Sequence, residues 1–275
     1  MLKLILFSLL SQLAIGAILP LLFIAVDEMG AFFFRLMSGI YAVLLIMTLL
    51  IQPFDNSIDL LPPQVLGLPI ETISALLGSA ALVLLAGGFL IKWVGKSYLY
   101  LALVTGLAGV ILLAVAFPVT ALVGEVPAWV RATSFTGAML MLGTVSAAMV
   151  TGHWYLVNSK LTIRPLRLAT LLFIGATVLR MIFVAALVTI LFGSAQLGTA
   201  EAAAALLEFS GSGLLFWGRV LIGLVGPLVF GVMILQTVKL RNTQSATGIL
   251  YATIVLVFIG EAFSRFLCFF TGIPV

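Results

Sequence analysis

Apolar stretches long enough to cross a bilayer recur along almost the whole chain, and they limit its fold more than any other feature. About 20 apolar residues in an α-helix span the hydrocarbon core of a membrane. The stretches that qualify are residues 3–26, 36–54, 71–92, 98–123, 133–157, 166–192, 213–237 and 246–271. They predict an all-α polytopic membrane bundle of about eight transmembrane helices, which forms a single transmembrane domain over residues 1–275.

The composition excludes a soluble globular domain. Of the 275 residues, 63% are hydrophobic and 8% are charged, whereas soluble domains carry roughly 25% charged residues. The mean hydropathy of +1.34 is too high for a folded chain of 29.2 kDa to hide its apolar surface from water, so we expect lipid around it. The net charge of +4 does not indicate nucleic-acid binding, because the basic residues stand singly or in small groups at the ends of apolar stretches.

The basic residues fall mainly on one side when the connecting segments are assigned alternately to the two sides of the membrane. One side receives eight of them: Arg35, Lys92, Lys96, Lys160, Arg164, Arg167, Lys239 and Arg241. The other side receives Lys3 and Arg131, together with the acidic residues Asp55, Asp59, Glu71, Glu125, Glu201 and Glu208. An excess of Lys and Arg marks cytoplasmic loops. The sequence therefore predicts that both termini are periplasmic in a bacterial inner membrane.

Four ionisable side chains fall inside the apolar stretches rather than at their ends. Arg180 lies near the middle of the sixth stretch. Glu261 lies just past the middle of the eighth, with Arg265 four residues further along the same helix face. Arg219 lies about two turns into the seventh stretch from the outer side. Helices six and eight both run outward in the predicted topology, so the four side chains are expected to converge in the outer half of the membrane.

These intramembrane charges have two interpretations. A charge at mid-bilayer costs about 2.5–3.5 kcal/mol even on the lenient insertion scale, so it must be paired or hydrated. The first interpretation is a polar pocket for a quinone headgroup or a proton path, in which Glu261 handles the proton and an arginine donates to a quinone carbonyl. The second is a structural ion pair between Arg180 and Glu261 that fixes helix packing. Gln12, about halfway through the first stretch, is expected to hydrogen-bond a neighbouring helix.

The only histidine, His153, lies in an aromatic and polar sequence over residues 152–160, at the cytoplasmic end of the fifth stretch. An aromatic belt with snorkelling cations accounts for this sequence. The alternatives are a cytoplasmic-side quinone contact and a docking contact for a partner. With one histidine and one cysteine, Cys268, the chain has no ligand pattern for haem or for an iron–sulfur cluster. We therefore expect neither cofactor within it.

Three short stretches carry a pattern found in a known family of membrane subunits. Residues 260–270 have the sequence Gly-Glu-Ala-Phe-Ser-Arg-Phe-Leu-Cys-Phe-Phe, and Trp217-Gly218-Arg219 opens the preceding helix. Residues 6–16 have the sequence Leu-Phe-Ser-Leu-Leu-Ser-Gln-Leu-Ala-Ile-Gly. In these places the chain resembles the membrane-anchor subunits of dimethyl-sulfoxide-reductase-type molybdoenzymes. Those anchors usually carry a histidine-containing segment after the second helix, whereas residues 55–71 contain no histidine here.

The resemblance implies a function in anaerobic respiration. It implies eight helices with periplasmic termini, and an anchor subunit that binds menaquinone or ubiquinone. Such a subunit exchanges electrons with an iron–sulfur or cytochrome subunit of an oxidoreductase complex that also contains a catalytic subunit. The candidate quinone-binding residues are Arg180, Arg219, Arg265 and His153, with Glu261 as the catalytic acid. Two alternatives stay open: a small transporter or channel that uses the Arg/Glu cluster as its polar path, and a structural assembly subunit.

Overall fold

The protein is a bundle of long apolar helices. The computed structural model describes residues 2–51, 64–65, 68–90, 96–117, 126–158, 161–193 and 204–275. The N-terminal helices are α1 (Leu2–Gly16), α2 (Ile18–Phe23), α3 (Val26–Met29), α4 (Ala31–Ile51), α5 (Ile70–Leu90) and α6 (Ser97–Ala116). The C-terminal helices are α7 (Ala128–Val157), α8 (Arg164–Gly193), α9 (Ser212–Val220), a π-helix (Leu221–Val225), α10 (Gly226–Lys239) and α11 (Thr243–Thr271). Two short antiparallel strands, β1 (Gln64–Val65) and β2 (Leu68–Pro69), precede α5.

Seven segments of the described chain are long and apolar enough to cross a membrane, which confirms the prediction of a multi-pass helical bundle. They are Leu2–Phe23, Ala31–Ile51, Ser97–Ala116, Ala128–Val157, Arg164–Gly193, Ser212–Lys239 and Thr243–Thr271. Helix α5 is apolar as well, and its residues 74–90 form a shorter apolar helix. The predicted stretches therefore correspond to helices, although several boundaries differ.

Prolines explain two of these differences. The first predicted stretch is interrupted at Ala17, between α1 and α2. Pro20 has no N–H to donate to the carbonyl of Gly16, four residues earlier, so the helix breaks there. Helix α6 ends at Ala116, earlier than the predicted 123, and Phe117 is extended with ψ 121°. Phe117 precedes a proline in the sequence, and a residue in that position is driven out of the helical region.

Helices α1 and α7 form the centre of the bundle. In the most apolar 18 residues of each membrane-spanning segment, the buried fraction is 78% for Leu2–Phe23 and 72% for Ala128–Val157. The same fraction is 28–39% for the other five segments. The two helices touch through glycines. A Cβ on Gly16 would lie 1.9 Å from the carbonyl oxygen of Met139, and a Cβ on Gly143 would lie 2.0 Å from the carbonyl carbon of Gly16. Only glycines permit this approach, which brings Gln12 and Ser134 to the bundle centre.

A second close contact joins the π-helix to α11. A Cβ on Gly260 would lie 2.1 Å from the Cα of Gly223, so the two backbones meet without side chains between them. Pro227 cannot donate an N–H to the carbonyl of Gly223, and Arg219 Nη1 donates to that carbonyl instead, at 3.4 Å. Single π-turns are rare in proteins, and those that occur are often found at functional sites. This one positions Arg219 against α11.

Candidate functional site

Glu261, on α11, binds two arginines in the interior of the bundle. Arg219 Nη2, from α9, donates to Glu261 Oε1 at 2.7 Å, and Arg180 Nη2, from α8, donates to Glu261 Oε2 at 3.4 Å. The side chains of all three residues have no exposed surface. The contact between Arg180 and Glu261, predicted from their depths, is therefore confirmed. Arg219 makes the shorter of the two ion pairs.

Arg180 has three further acceptors. Its Nη1 donates to Ser134 Oγ of α7 at 3.1 Å, and its Nη2 donates to Ser264 Oγ at 3.2 Å and to the carbonyl of Val275 at 3.3 Å. Val275 reaches the cluster because the chain turns at Gly272, whose φ of 78° lies in the left-handed region that favours glycine. Residues 273–275 then pack back into the bundle, where Ser264 also donates to the Val275 carbonyl. These contacts fix the Arg180 guanidinium from three sides.

Arg265 has a different set of contacts from Arg180 and Arg219. Its Nη2 donates to Gln12 Oε1 of α1 at 3.3 Å, and its guanidinium carbon lies 3.6 Å from the ring centroid of Phe135 on α7. The hydrogen bond confirms the expectation that Gln12 contacts a neighbouring helix. Among the described residues, no carboxylate lies within ion-pair distance of Arg265. Its positive charge is stabilised there by an aromatic face and an amide oxygen.

The cluster contains more positive charge and more hydrogen-bond donors than the described chain neutralises. Among the described residues, three buried guanidiniums share a single side-chain carboxylate, and each ion removed from water costs several kcal/mol unless it is compensated. Several buried donors have no acceptor among the described residues: Arg180 Nε, Arg219 Nε, Arg265 Nε, Arg265 Nη1 and Gln12 Nε2. The arrangement can therefore accept a ligand that carries oxygen acceptors or negative charge.

His153 is not part of this cluster. It is exposed near the C-terminal end of α7, and its Nδ1 lies 3.1 Å from the Tyr251 hydroxyl. The adjacent Trp154 packs against Phe32 and Phe33 at ring-centroid distances of 5.8 and 5.7 Å. Along α7, His153 is separated from Ser134 by about 28 Å. The structure thus brings Arg180, Arg219, Arg265 and Glu261 together, and it places His153 at the other end of the helix.

Sequence reasoning missed several groups that complete the cluster. Ser264 had a usable signal, because it lies three residues after Glu261 and therefore on the same helix face. Ser134 and Phe135 had none, since nothing in the sequence of α7 distinguishes them from its other small and aromatic residues. The carbonyl of Val275 could not be expected either, because its position depends on the turn at Gly272.

A separate crevice lies on the opposite side of α1 from the cluster. It is bordered by α1, α4, α5 and α6, and its polar lining residues are Ser11, Thr48 and Ser74. Each of these hydroxyls already donates to a backbone carbonyl. The crevice therefore offers an apolar surface with no free donor, and the Arg–Glu cluster is the better candidate for a site that orients a polar ligand.

Within the described residues, no group of three or more His, Cys, Asp or Glu side chains is arranged to hold a metal ion.

Comparison with known proteins gives no assignment: no protein-family model matches the chain, and no curated protein sequence matches it. The resemblance to molybdoenzyme anchor subunits therefore rests on the residues that carry it in the sequence.

Proposed function

We propose that this chain is a quinone-interacting membrane subunit of a respiratory electron-transfer complex, with its ligand at the buried Arg–Glu cluster. The observation that carries the proposal is the convergence of three arginines and one glutamate inside an otherwise apolar bundle, with donors left over. Ionisable groups at membrane depth favour a functional site over a purely structural one. The resemblance in the first and last two helices favours a quinone over other ligands that bear acceptor oxygens.

The proposed chemistry assigns a role to each side chain. A guanidinium N–H donates to a carbonyl oxygen of the quinone and holds the headgroup in place. Glu261 accepts a proton that leaves a quinol when it is oxidised. The electrons pass to an iron–sulfur or cytochrome subunit, which in turn serves a catalytic subunit. Because the cluster has no exposed surface, the helices must separate for a headgroup to enter. The π-helix at Leu221–Val225 and the break at Ala17 are the weakest points of the helices that surround it.

Purification of the native complex tests this proposal. The tagged chain, extracted in a mild detergent, should co-purify with an iron–sulfur or cytochrome subunit and a catalytic subunit, and the complex should oxidise or reduce a quinone analogue. We expect no haem or iron–sulfur cluster in stoichiometry with this chain alone. Mass spectrometry of the subunits, metal analysis and a haem absorption spectrum provide the readouts. Recovery of the chain without any redox partner, in a state that binds no quinone, would contradict the proposal.

The finer topology belongs to the same proposal: α5 is the eighth span, and both termini are periplasmic in a bacterial inner membrane. Contacts at one end of the bundle support it. Lys96 Nζ donates to the carbonyl of Leu22 at 3.0 Å, and Arg164 pairs with Glu28 at 3.2 Å. Two of the basic segments assigned to the cytoplasm therefore meet the C-terminal end of α2 and the short helix α3 that follows it. Burial lowers the pKa of Lys96, and its carbonyl contacts hold it in place.

Reporter fusions check the topology. Fusions in the 92–97, 158–167 and 238–245 segments should report a cytoplasmic position, and fusions at both termini should report a periplasmic one. The reason is the concentration of basic residues in those three segments. An alkaline phosphatase and green fluorescent protein pair provides opposite signals for the two sides. A cytoplasmic C-terminus would exclude the topology with eight spans.

A small transporter is the second candidate, and the interrupted helices favour it. Transporters commonly place their substrate at helices that are broken near mid-membrane. Here α1 and α2 are separated at Ala17, and the π-helix separates α9 from α10 beside Arg219. Uptake measured in proteoliposomes that contain only this chain would support transport over a role as a redox anchor.

A further inference from the structure

The corner of the cluster formed by Arg265, Gln12 and Phe135 is not explained by the ion pairs of Glu261. All three side chains are fully buried. The guanidinium of Arg265 packs on the ring of Phe135 and makes a single hydrogen bond, to Gln12 Oε1. An aromatic face stabilises a desolvated cation only partly, and it does not offset the cost of removing the charge from water. Glu261, four residues earlier on α11, attracts Arg265 electrostatically, but its ion pairs are with Arg219 and Arg180. Among the described residues, Arg265 therefore has no ion-pair partner of its own.

The hydrogen-bond donors of this corner that lack an acceptor belong to two of these three side chains. Arg265 Nε, Arg265 Nη1 and Gln12 Nε2 have no acceptor among the described residues, and each has almost no exposed surface. A buried donor without an acceptor destabilises the folded state, because it has lost its hydrogen bond to water and gained none in the protein. Water could satisfy the hydrogen bonds, but it could not neutralise the charge. An anion would do both.

We propose that this corner is a binding site for a small monovalent anion, such as a halide, held by Arg265 and Gln12 against the ring of Phe135. The occupant must be small, because the lining side chains are enclosed on every side. It is an anion because, among the described residues, Arg180, Arg219 and Arg265 share a single side-chain carboxylate, that of Glu261. The corner lies beside Arg180, which binds Ser134 next to Phe135 on α7, but Arg265 and Gln12 make no hydrogen bond to the Glu261 carboxylate, which binds Arg180 and Arg219. The proposal rests on the free donors of Arg265 and Gln12 and not on the identity of a ligand at Glu261.

Thermal unfolding of the purified chain at different chloride concentrations tests the proposal. The protein is prepared in a mild detergent with gluconate as the only anion, and chloride replaces gluconate at constant ionic strength. For the wild type, we expect a saturable rise of Tm by several degrees, because a ligand that binds only the folded state stabilises it by mass action. The ³⁵Cl NMR line of chloride should broaden in the presence of the wild type. No quinone is present, so the result does not depend on the proposed redox function.

Three variants separate the site from general salt effects. Arg265→Gln removes the unpaired charge, so it should be no less stable than the wild type in gluconate and should not respond to chloride. Gln12→Leu keeps the charge but removes the Gln12 Nε2 donor together with the Oε1 acceptor that positions Arg265, and it should shift the chloride response to severalfold higher concentration. Arg164→Gln removes an exposed positive charge at the other end of the bundle, and it should keep the full response. A wild type whose Tm and ³⁵Cl line width do not depend on chloride would overturn the proposal, as would an unchanged response in Arg265→Gln.

Discussion

Replacement of Glu261 by glutamine is expected to destabilise the protein by about 3–5 kcal/mol, because removal of one partner leaves the other charges of a buried pair uncompensated. The carboxylate binds Arg219 at 2.7 Å and Arg180 at 3.4 Å, with no exposed surface on any of the three side chains. Glutamine has nearly the same shape as glutamate, so the loss of stability measures the effect of the missing charge rather than a change in packing. The yield of folded protein and its Tm in detergent are the measurements.

Glu28→Gln is the matched control, since it also removes a carboxylate that binds an arginine. Glu28 pairs with Arg164 at 3.2 Å, but the Arg164 side chain is 77% exposed. Exposed pairs contribute about 0–1 kcal/mol, so this variant should fold almost as well as the wild type. Equal stability of Glu261→Gln and Glu28→Gln would show that the buried charges are compensated by something other than Glu261.

A charge-matched double variant separates stability from function. Glu261→Gln combined with Arg219→Gln removes one positive and one negative charge and leaves two amides that can hydrogen-bond each other. We expect the yield to recover substantially. If the cluster is the quinone site, turnover by the complex should stay lost, because an amide at position 261 cannot take a proton and the Arg219 guanidinium is no longer present to bind the headgroup. Recovery of both yield and turnover would instead assign Glu261 a structural role only.

Gly260→Ala is expected to have the second large effect. The new Cβ would lie 2.1 Å from the Cα of Gly223, which is backbone and cannot rotate away. The π-helix and α11 must therefore move apart, and forced overpacking of this kind costs about 1–3 kcal/mol. The same movement lengthens the ion pair between Arg219 and Glu261. Thermal unfolding in detergent should show a clear decrease in Tm, and quinone-dependent activity should decrease with it.

Gly248→Ala provides the control within the same helix. A Cβ on Gly248 meets nothing within 4 Å, and alanine favours a helix by about 1 kcal/mol over glycine. This variant should be as stable as the wild type or slightly more stable. If Gly260→Ala and Gly248→Ala have the same Tm, the close contact between the π-helix and α11 does not exist in the protein.

The sequence was sufficient to predict a multi-pass helical bundle and the contact between Arg180 and Glu261. Stretches of about 20 apolar residues are not stable in any other backbone form inside lipid, since every peptide group needs an internal partner there. Depth follows from the rise of about 1.5 Å per residue. Arg180 and Glu261 were expected at one level for that reason, and they are in contact. Gln12 was expected to bind a neighbouring helix, and it accepts from Arg265.

Only the tertiary structure decided which side chains face one another. Hydropathy gives depth but not rotation about the helix axis, because lipid is as apolar as the interior of the bundle and both faces of a helix therefore look alike. Rotation was fixed by local contacts: Gly16 against α7, and Gly223 against Gly260. These made Arg219 the nearer partner of Glu261 and turned Arg265 toward Gln12 and Phe135. His153 lies far from the cluster for a different reason, its position 19 residues after Ser134 along α7, which the sequence alone already implied.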